Sequence, residues 1–139
     1  MPATTELRVR YAETDKMGVV YYANYLVWCE VARTEFIRHH GASYAAWEEQ
    51  GVALAVSEAR VRYHRSARYD DLVRIETFLT SVQSRGVCFE YRMTLAETGE
   101  RVVSAFTSLI AIAPNGRPIS LPPDLRAQLS AAIEAPPAR

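Results

Sequence analysis

A long and mostly apolar helix is the feature that most restricts how this chain can fold. Between Ala23 and about His40 the polar residues recur at helical spacing along one stripe, and apolar side chains cover most of the remaining surface. The stripe consists of Glu30, Arg33, Thr34 and Arg38. Gly41 is placed to end the helix. Because so little of its surface is polar, the rest of the chain must cover most of this helix.

Segments with strand patterns make up most of the rest. Residues 6–11 alternate polar with apolar side chains, and residues 53–64 place Ala53, Ala55, Ala59, Val61 and Tyr63 on one face, predicted to be buried, opposite a charged face. Residues 72–82, 87–95 and 101–112 have similar length and β-branched content. Turns with glycine or asparagine separate them, which predicts an antiparallel meander. A short helix at 43–50 and a last helix from Asp124 to about Ile133 are also predicted.

The order of these elements predicts the architecture. One strand, one long helix and four long strands follow each other in 139 residues, a length that suits a single domain spanning residues 1–139, with about 134–139 as a flexible tail. One sheet must therefore curl around the helix. The predicted fold class is α+β, a hotdog fold in which a five-stranded antiparallel sheet curls around a long central helix.

Composition excludes several classes of function. Sixteen Lys and Arg balance sixteen Asp and Glu, so we expect no general attraction to nucleic acid or to an anionic membrane. Cys29 and Cys88 have neither metal-ligand nor redox spacing, which fits a reducing cytoplasm. The chain has no HExxH motif, phosphate-binding glycine loop or dinucleotide fingerprint, so neither a metal nor a cofactor is expected. It also has no signal-peptide pattern or bilayer-spanning run, which predicts a soluble protein.

The segment from Tyr11 to Tyr25 is the predicted site of chemistry. It places acidic residues and a glycine turn directly before the long helix. A helix N-terminus offers free N–H groups and a positive dipole end that polarise a substrate carbonyl, and Asp15 is close enough in sequence to act on the polarised carbon. An isolated aspartate in such a place is more often a turn residue. Glu13 is interpreted as a solvated loop charge in preference to a residue that hydrogen-bonds into the site, and its role stays open.

These residues also resemble a known family. The stretches Arg8-Val9-Arg10-Tyr11, Asp15, Gly18-Val19-Val20-Tyr21 and Ala23-Asn24-Tyr25 resemble the acyl-CoA thioesterases related to 4-hydroxybenzoyl-CoA thioesterase, particularly the YbgC-like branch. The resemblance continues through Arg33-Thr34-Glu35, Tyr63-His64, Ser66-Ala67 and Tyr69-Asp70-Asp71. It implies hydrolysis of an acyl-CoA substrate, with coenzyme A as part of that substrate, by a homo-oligomer whose active sites lie at a dimer interface. A dimer and a dimer of dimers are both compatible with it.

The resemblance assigns roles to individual residues. Asp15 matches the catalytic carboxylate, acting either as a nucleophile or as a general base on water. A backbone N–H near Tyr22 and Ala23 meets the oxyanion. Tyr22 stands where many relatives have histidine and is predicted to bind substrate. The other predicted substrate-binding residues are Tyr11, Gly18, Val19, Arg65 and Arg68, the two arginines being preferred over Arg62 and Arg85 for the phosphates of coenzyme A.

Two other functions remain open from the sequence. A hydratase or dehydratase acting on acyl thioesters needs a histidine beside an acidic residue, and residues 11–25 contain none, although His64 lies on a later strand. A non-catalytic acyl-CoA-binding hotdog protein is favoured only by Tyr22 in place of histidine. Glu30 is the reserve catalytic candidate on the helix.

Overall fold

The computed structural model describes residues 3–40 and 44–137. Within them, five strands and three helices follow one another along the chain. Their bounds are β1 Ala3–Arg8, α1 Asn24–His39, α2 Tyr44–Glu49, β2 Ala53–Tyr63, β3 Leu72–Val82, β4 Gly86–Leu95, β5 Arg101–Ile112 and α3 Pro123–Ser130. The predicted bounds of β3 and β5 agree with the structure, and those of α1 and β4 agree to within one residue.

The five strands form one antiparallel sheet around helix α1. The strand order is β1-β3-β4-β5-β2. Helix α1 buries Trp28, Cys29, Ala32, Phe36 and Ile37, none more than 2% exposed, in one core with the inner side chains of the sheet. Burial of this much apolar surface is the main force that holds a sheet onto a helix. The architecture is the predicted hotdog fold.

Two predicted element boundaries were wrong. The first strand runs over Ala3–Arg8 rather than 6–11, because the chain bends into a single 3₁₀ turn at Tyr11–Glu13 in which Thr14 N–H donates to the Tyr11 carbonyl at 3.1 Å. The last helix ends at Ser130, earlier than predicted. The predicted helix end at Gly41 and the start of the second helix at Ser43 lie outside the described residues.

Strand β2 occupies a different place from the one its pattern predicted. Only β3, β4 and β5 form a meander, whereas β2 pairs with β5 and leaves its other side as an open edge of the sheet. A bulge interrupts its register between Val56 and Glu58. The expected burial of one face is therefore wrong for Ala59 and Tyr63, which are exposed. An edge strand next to the end of a curled sheet has no layer to cover it within one copy of the chain.

Candidate active site

A small hairpin carries Asp15 immediately before helix α1. Asp15 N–H donates to the Val19 carbonyl at 2.8 Å, Thr14 pairs with Val20, and Tyr21 N–H donates to the Glu13 carbonyl at 2.9 Å. Gly18 closes the turn by donating its N–H to the Asp15 carbonyl at 2.9 Å. Its φ of +81° is left-handed, which glycine adopts without steric cost. The sequence puts glycine where the turn that presents Asp15 requires it.

The two oxygens of the Asp15 carboxylate have different environments. Oδ1 accepts a hydrogen bond from Met17 N–H at 2.9 Å, so Asp15 does have the local turn role that aspartate commonly takes. Among residues 3–40 and 44–137, no group donates a hydrogen bond to Oδ2. The side chain is half-buried. One oxygen therefore fixes the carboxylate, and the other is available to a substrate.

The start of helix α1 lacks a capping side chain. Ala23 occupies the cap position in a helical conformation and no side chain bonds to the first turn. Within the described part of the chain, the N–H groups of Tyr22 and Ala23 have no acceptor, whereas Asn24 N–H donates to the Tyr21 carbonyl at 2.9 Å. Helices usually satisfy such donors with Ser, Thr, Asp or Asn. Here no described side chain takes that place, and these two N–H groups are not used within the described structure.

Glu13 has the hydrogen-bonded environment that the sequence left as the alternative, and the preferred interpretation was wrong. It is only 7% exposed, not a solvated loop charge. Its Oε1 accepts from Arg10 N–H at 2.8 Å and its Oε2 accepts from the Trp28 indole N–H at 2.8 Å. Its backbone carbonyl accepts from Tyr21 N–H at 2.9 Å and from the Asn24 side-chain amide at 2.8 Å. Glu13 thus joins the Asp15 hairpin to helix α1.

The electrostatics of Glu13 follow from these contacts. Burial alone would raise the pKa of its carboxyl, but the hydrogen bonds from Trp28 and Arg10 and the nearby Arg10 charge outweigh burial and lower that pKa below its usual 4.5. Glu13 is therefore ionised at neutral pH and serves as an acceptor only. No local pattern around Glu13 reveals this, because its main donor lies on the helix, 15 residues away.

The predicted binding residues divide into two groups in the structure. Val19 pairs with Arg68 through an isolated antiparallel bridge, and a side chain at Gly18 would lie 3.9 Å from Arg68 Nη1, so these three residues share the Asp15 hairpin surface. Arg65 instead forms an ion pair with Glu100. Of the two predicted arginines, the structure brings Arg68 to the site.

Tyr11 borders this surface without a described bond to Asp15. Its side chain is 77% exposed, and its ring meets the edge of Tyr69 at a centroid separation of 5.7 Å. The rings of Tyr21 and Tyr22, which follow the hairpin in the chain, lie 4.7 Å apart. Exposed aromatic rings therefore lie on the residues that precede and follow the Asp15 hairpin in the chain.

Glu30 lies apart from this hairpin. It is seven positions beyond Ala23, about 10 Å along the helix. It lines a separate cleft of about 390 Å³ between α1 and β2, together with Arg33, Glu48 and Leu54. Arg33 is buried there and donates to the Tyr91 hydroxyl at 3.1 Å. The structure does not bring Glu30 together with Asp15.

None of the described contacts of the three histidines involves Asp15. His64 Nε2 and Ser104 Oγ are 2.9 Å apart, with Ser104 on the side of β5 that faces away from the core. His39 and His40 are at the C-terminal end of α1. Among the described residues, no three His, Cys, Asp or Glu side chains cluster in a way that would hold a metal ion. None of the described helices has the length and apolar character needed to span a membrane.

Comparisons with known proteins identify a family. The model of the Thioesterase-like superfamily matches residues 9–129. The chain is 42% identical over 91 residues to the acyl-CoA thioester hydrolase YbgC of Escherichia coli O6:H1, covering 66% of this chain and 68% of that protein. It is 36% identical over 107 residues to the putative acyl-CoA thioesterase YneP of Bacillus subtilis, covering 77% of each.

A solved structure resembles the whole architecture. The DHNA-CoA thioesterase from Staphylococcus aureus superimposes with a TM-score of 0.88 at 37% identity, over 93% of this chain and 89% of that one. The likeness therefore extends over most of both chains.

Proposed function

Since the chain belongs to the thioesterase-like superfamily and is a YbgC-like thioester hydrolase, we propose that it hydrolyses acyl-CoA with Asp15 as its catalytic carboxylate. The observation that carries this assignment is the Asp15 hairpin. It leaves one carboxylate oxygen without a donor and leads directly into a helix start with two available N–H groups. A nucleophile or base beside an oxyanion donor is what acyl transfer requires.

Two routes are compatible with this arrangement. In the first, Asp15 attacks the thioester carbon, the C–S bond breaks, coenzyme A leaves as its thiolate, and water then cleaves the resulting anhydride to release the acid and restore Asp15. In the second, Asp15 takes a proton from a water molecule that attacks the same carbon, the C–S bond of the tetrahedral intermediate then breaks, coenzyme A leaves as its thiolate, and Asp15 returns its proton to solvent. In both, the N–H groups of Tyr22 and Ala23 stabilise the oxyanion. A thiolate is a good leaving group and needs little acid assistance.

Arg68 is the proposed contact for the phosphates of coenzyme A. Its position beside Gly18 and Val19 places a permanent positive charge on the Asp15 hairpin surface. Arg65 is a secondary candidate because its guanidinium is already paired with the Glu100 carboxylate. A phosphate would have to replace that partner before Arg65 contributed to binding.

A second copy of the chain is proposed to cover the open edge of β2. This edge presents unpaired backbone groups beside the exposed side chains of Val56 and Tyr63. The ring of Tyr25 in helix α1 contacts the ring of Tyr63 in this strand, and the same helix exposes Leu26, Val27 and Val31. An uncovered edge strand next to an apolar patch favours association, and two copies meeting there would form a dimer around the active sites.

The dimer proposal is tested by charge placed on this surface. Val31→Glu and Val56→Lys, each made as a single variant, should convert a dimer into a monomer in light-scattering mass measurements. Each variant should also lower turnover, because the dimer is lost. Ile133→Lys is a matched control, because Ile133 is similarly exposed but lies after α3. A wild-type protein that is monomeric at assay concentration would contradict the proposal. So would a Val31→Glu variant that remains dimeric.

The catalytic assignment is tested by thiol release from short, long and aromatic acyl-CoA esters. Asp15→Asn keeps an acceptor for Met17 N–H, so the turn should persist while the reactive carboxylate is lost. We expect at least a ~100-fold loss of rate, the scale of a positioned base or nucleophile. Asp70→Asn is the matched control, because Asp70 is exposed and asparagine also tolerates its φ of +69°.

The outcomes separate the remaining functions. A wild-type protein that binds acyl-CoA without releasing thiol would favour a binding protein. Hydration of an unsaturated acyl-CoA that depends on His64 would favour a hydratase. If Asp15→Asn is as fast as Asp70→Asn, the mechanism is wrong and Glu30 becomes the next candidate.

A further inference from the structure

We infer that Tyr63 is a positioning residue that fixes the Tyr22–Ala23 peptide group as an oxyanion donor. The inference rests on the proposed function and adds to it a residue from the opposite side of the site. Tyr63 is the last residue of β2, 41 positions from the peptide it contacts. It is not proposed to touch the substrate.

The geometry is a single hydrogen bond to the correct peptide. The Tyr63 hydroxyl donates to the Tyr22 carbonyl oxygen at 3.1 Å. The Tyr22 carbonyl and the Ala23 N–H belong to one planar unit, because the peptide bond does not rotate freely. Holding the carbonyl oxygen therefore also sets the direction in which the Ala23 N–H points.

A donor on this carbonyl also strengthens the N–H on the other side of the peptide. Hydrogen bonds in series polarise the groups between them, so a carbonyl that accepts a bond makes its peptide N–H a better donor. Helix α1 begins here without a capping side chain, so no other side chain holds this turn at its N–H groups. The Tyr63 hydroxyl does so from the carbonyl side, leaving the Ala23 N–H for the substrate.

The ring of Tyr63 is itself held in place. It meets the ring of Tyr25 edge-on at a centroid separation of 5.7 Å, and Tyr25 is buried, with its hydroxyl accepting from Ala67 N–H at 3.1 Å. Partial burial, and then the neighbouring Tyr22 hydroxyl and Cys29 thiol, raise the pKa of Tyr63 above 10. The hydroxyl therefore remains protonated, and able to donate, at the pH of an ordinary assay.

The test removes one oxygen atom. Tyr63→Phe keeps the ring against Tyr25 and deletes only the donor, and Tyr69→Phe is the matched control because it deletes a hydroxyl from another exposed tyrosine. We expect kcat to fall roughly 3- to 10-fold in Tyr63→Phe, the size of one neutral hydrogen bond, with KM unchanged. Tyr69→Phe should retain wild-type kcat. Affinity for a non-hydrolysable thioether analogue, which develops no oxyanion, should be equal in all three proteins.

A second readout does not depend on turnover. In protein labelled with ¹⁵N-alanine, the Ala23 amide nitrogen should move upfield in Tyr63→Phe and stay in place in Tyr69→Phe, because only the first loses a bond to the Tyr22 carbonyl. Unchanged kcat or an unmoved Ala23 resonance in Tyr63→Phe would overturn the inference. An equal fall in analogue affinity and kcat would also overturn it, because that result describes a general loss of structure. If the wild type hydrolyses no thioester, the proposed function and this inference both fail. If Asp15→Asn loses turnover while Tyr63→Phe keeps the wild-type kcat, the proposed function stands and only this inference fails.

Discussion

Replacing Glu13 by glutamine tests whether a buried carboxylate holds the active-site hairpin to the helix. The ionised carboxylate accepts from Arg10 N–H on one oxygen and from the Trp28 indole on the other. Glutamine has nearly the same shape, but its amide NH₂ must face one of these two donors. The buried network then contains a donor opposite a donor, and one N–H group loses its acceptor.

The magnitude follows from the two contacts. A hydrogen bond to a charged group contributes about 1.5–3 kcal/mol, and a buried donor left unsatisfied costs about 1–3 kcal/mol. The ion pair with the exposed Arg10 side chain adds little, at most about 1 kcal/mol. Allowing for partial rearrangement, Glu13→Gln should lower the free energy of unfolding by about 2–4 kcal/mol.

A double-mutant cycle isolates the specific conflict. Trp28→Phe removes the indole donor, so the donor–donor contact is absent from the double variant. Urea unfolding followed by far-UV circular dichroism should show that Glu13→Gln with Trp28→Phe is at least about 1 kcal/mol more stable than the sum of the single effects predicts. Additive effects, or a Glu13→Gln protein as stable as wild type, would refute the reasoning.

Three further predictions concern pH, backbone strain and thiol reactivity. The pKa of Glu13 is lowered in the folded state, so its contribution to stability is present above the unfolded pKa near 4.5 and is lost as pH falls through the lower folded pKa. The difference in unfolding free energy between wild type and Glu13→Gln, measured by urea unfolding, should therefore narrow below pH 4.5. Gly18→Ala has room for its side chain but must adopt a φ of +81°, so it should lower the free energy of unfolding by about 1–2 kcal/mol in thermal unfolding and lower kcat by moving Asp15. An unchanged kcat would argue against this turn as the support of the carboxylate. Burial, opposed by the Arg33 charge, raises the pKa of the Cys29 thiol to about 12. Iodoacetamide should therefore label Cys88 alone in the folded protein, as detected by mass spectrometry. Labelling of Cys29 at a comparable rate would contradict its burial.

Local pattern was enough for the elements that the sequence predicted well. Helix α1 and strands β3 and β5 each repeat their apolar residues over ten or more positions, and such a period reports which face is covered whatever covers it. The short first strand has too few repeats to set its ends, and the 3₁₀ turn at Tyr11–Glu13 moved it three residues. Strand β2 alternates as a half-buried strand would, but alternation does not tell a central strand from an edge strand.

The candidate site divides in the same way. The sequence by itself determined a glycine turn, an aspartate beside it and a helix that begins shortly after them, because these features depend on neighbours in the chain. Tertiary structure alone decided that Glu13 is buried against Trp28, that Tyr63 reaches the Tyr22 carbonyl and that Arg68 rather than Arg65 lies at the hairpin. Each of these contacts joins residues far apart in sequence, and which distant donor meets which acceptor is set only when the sheet closes around helix α1.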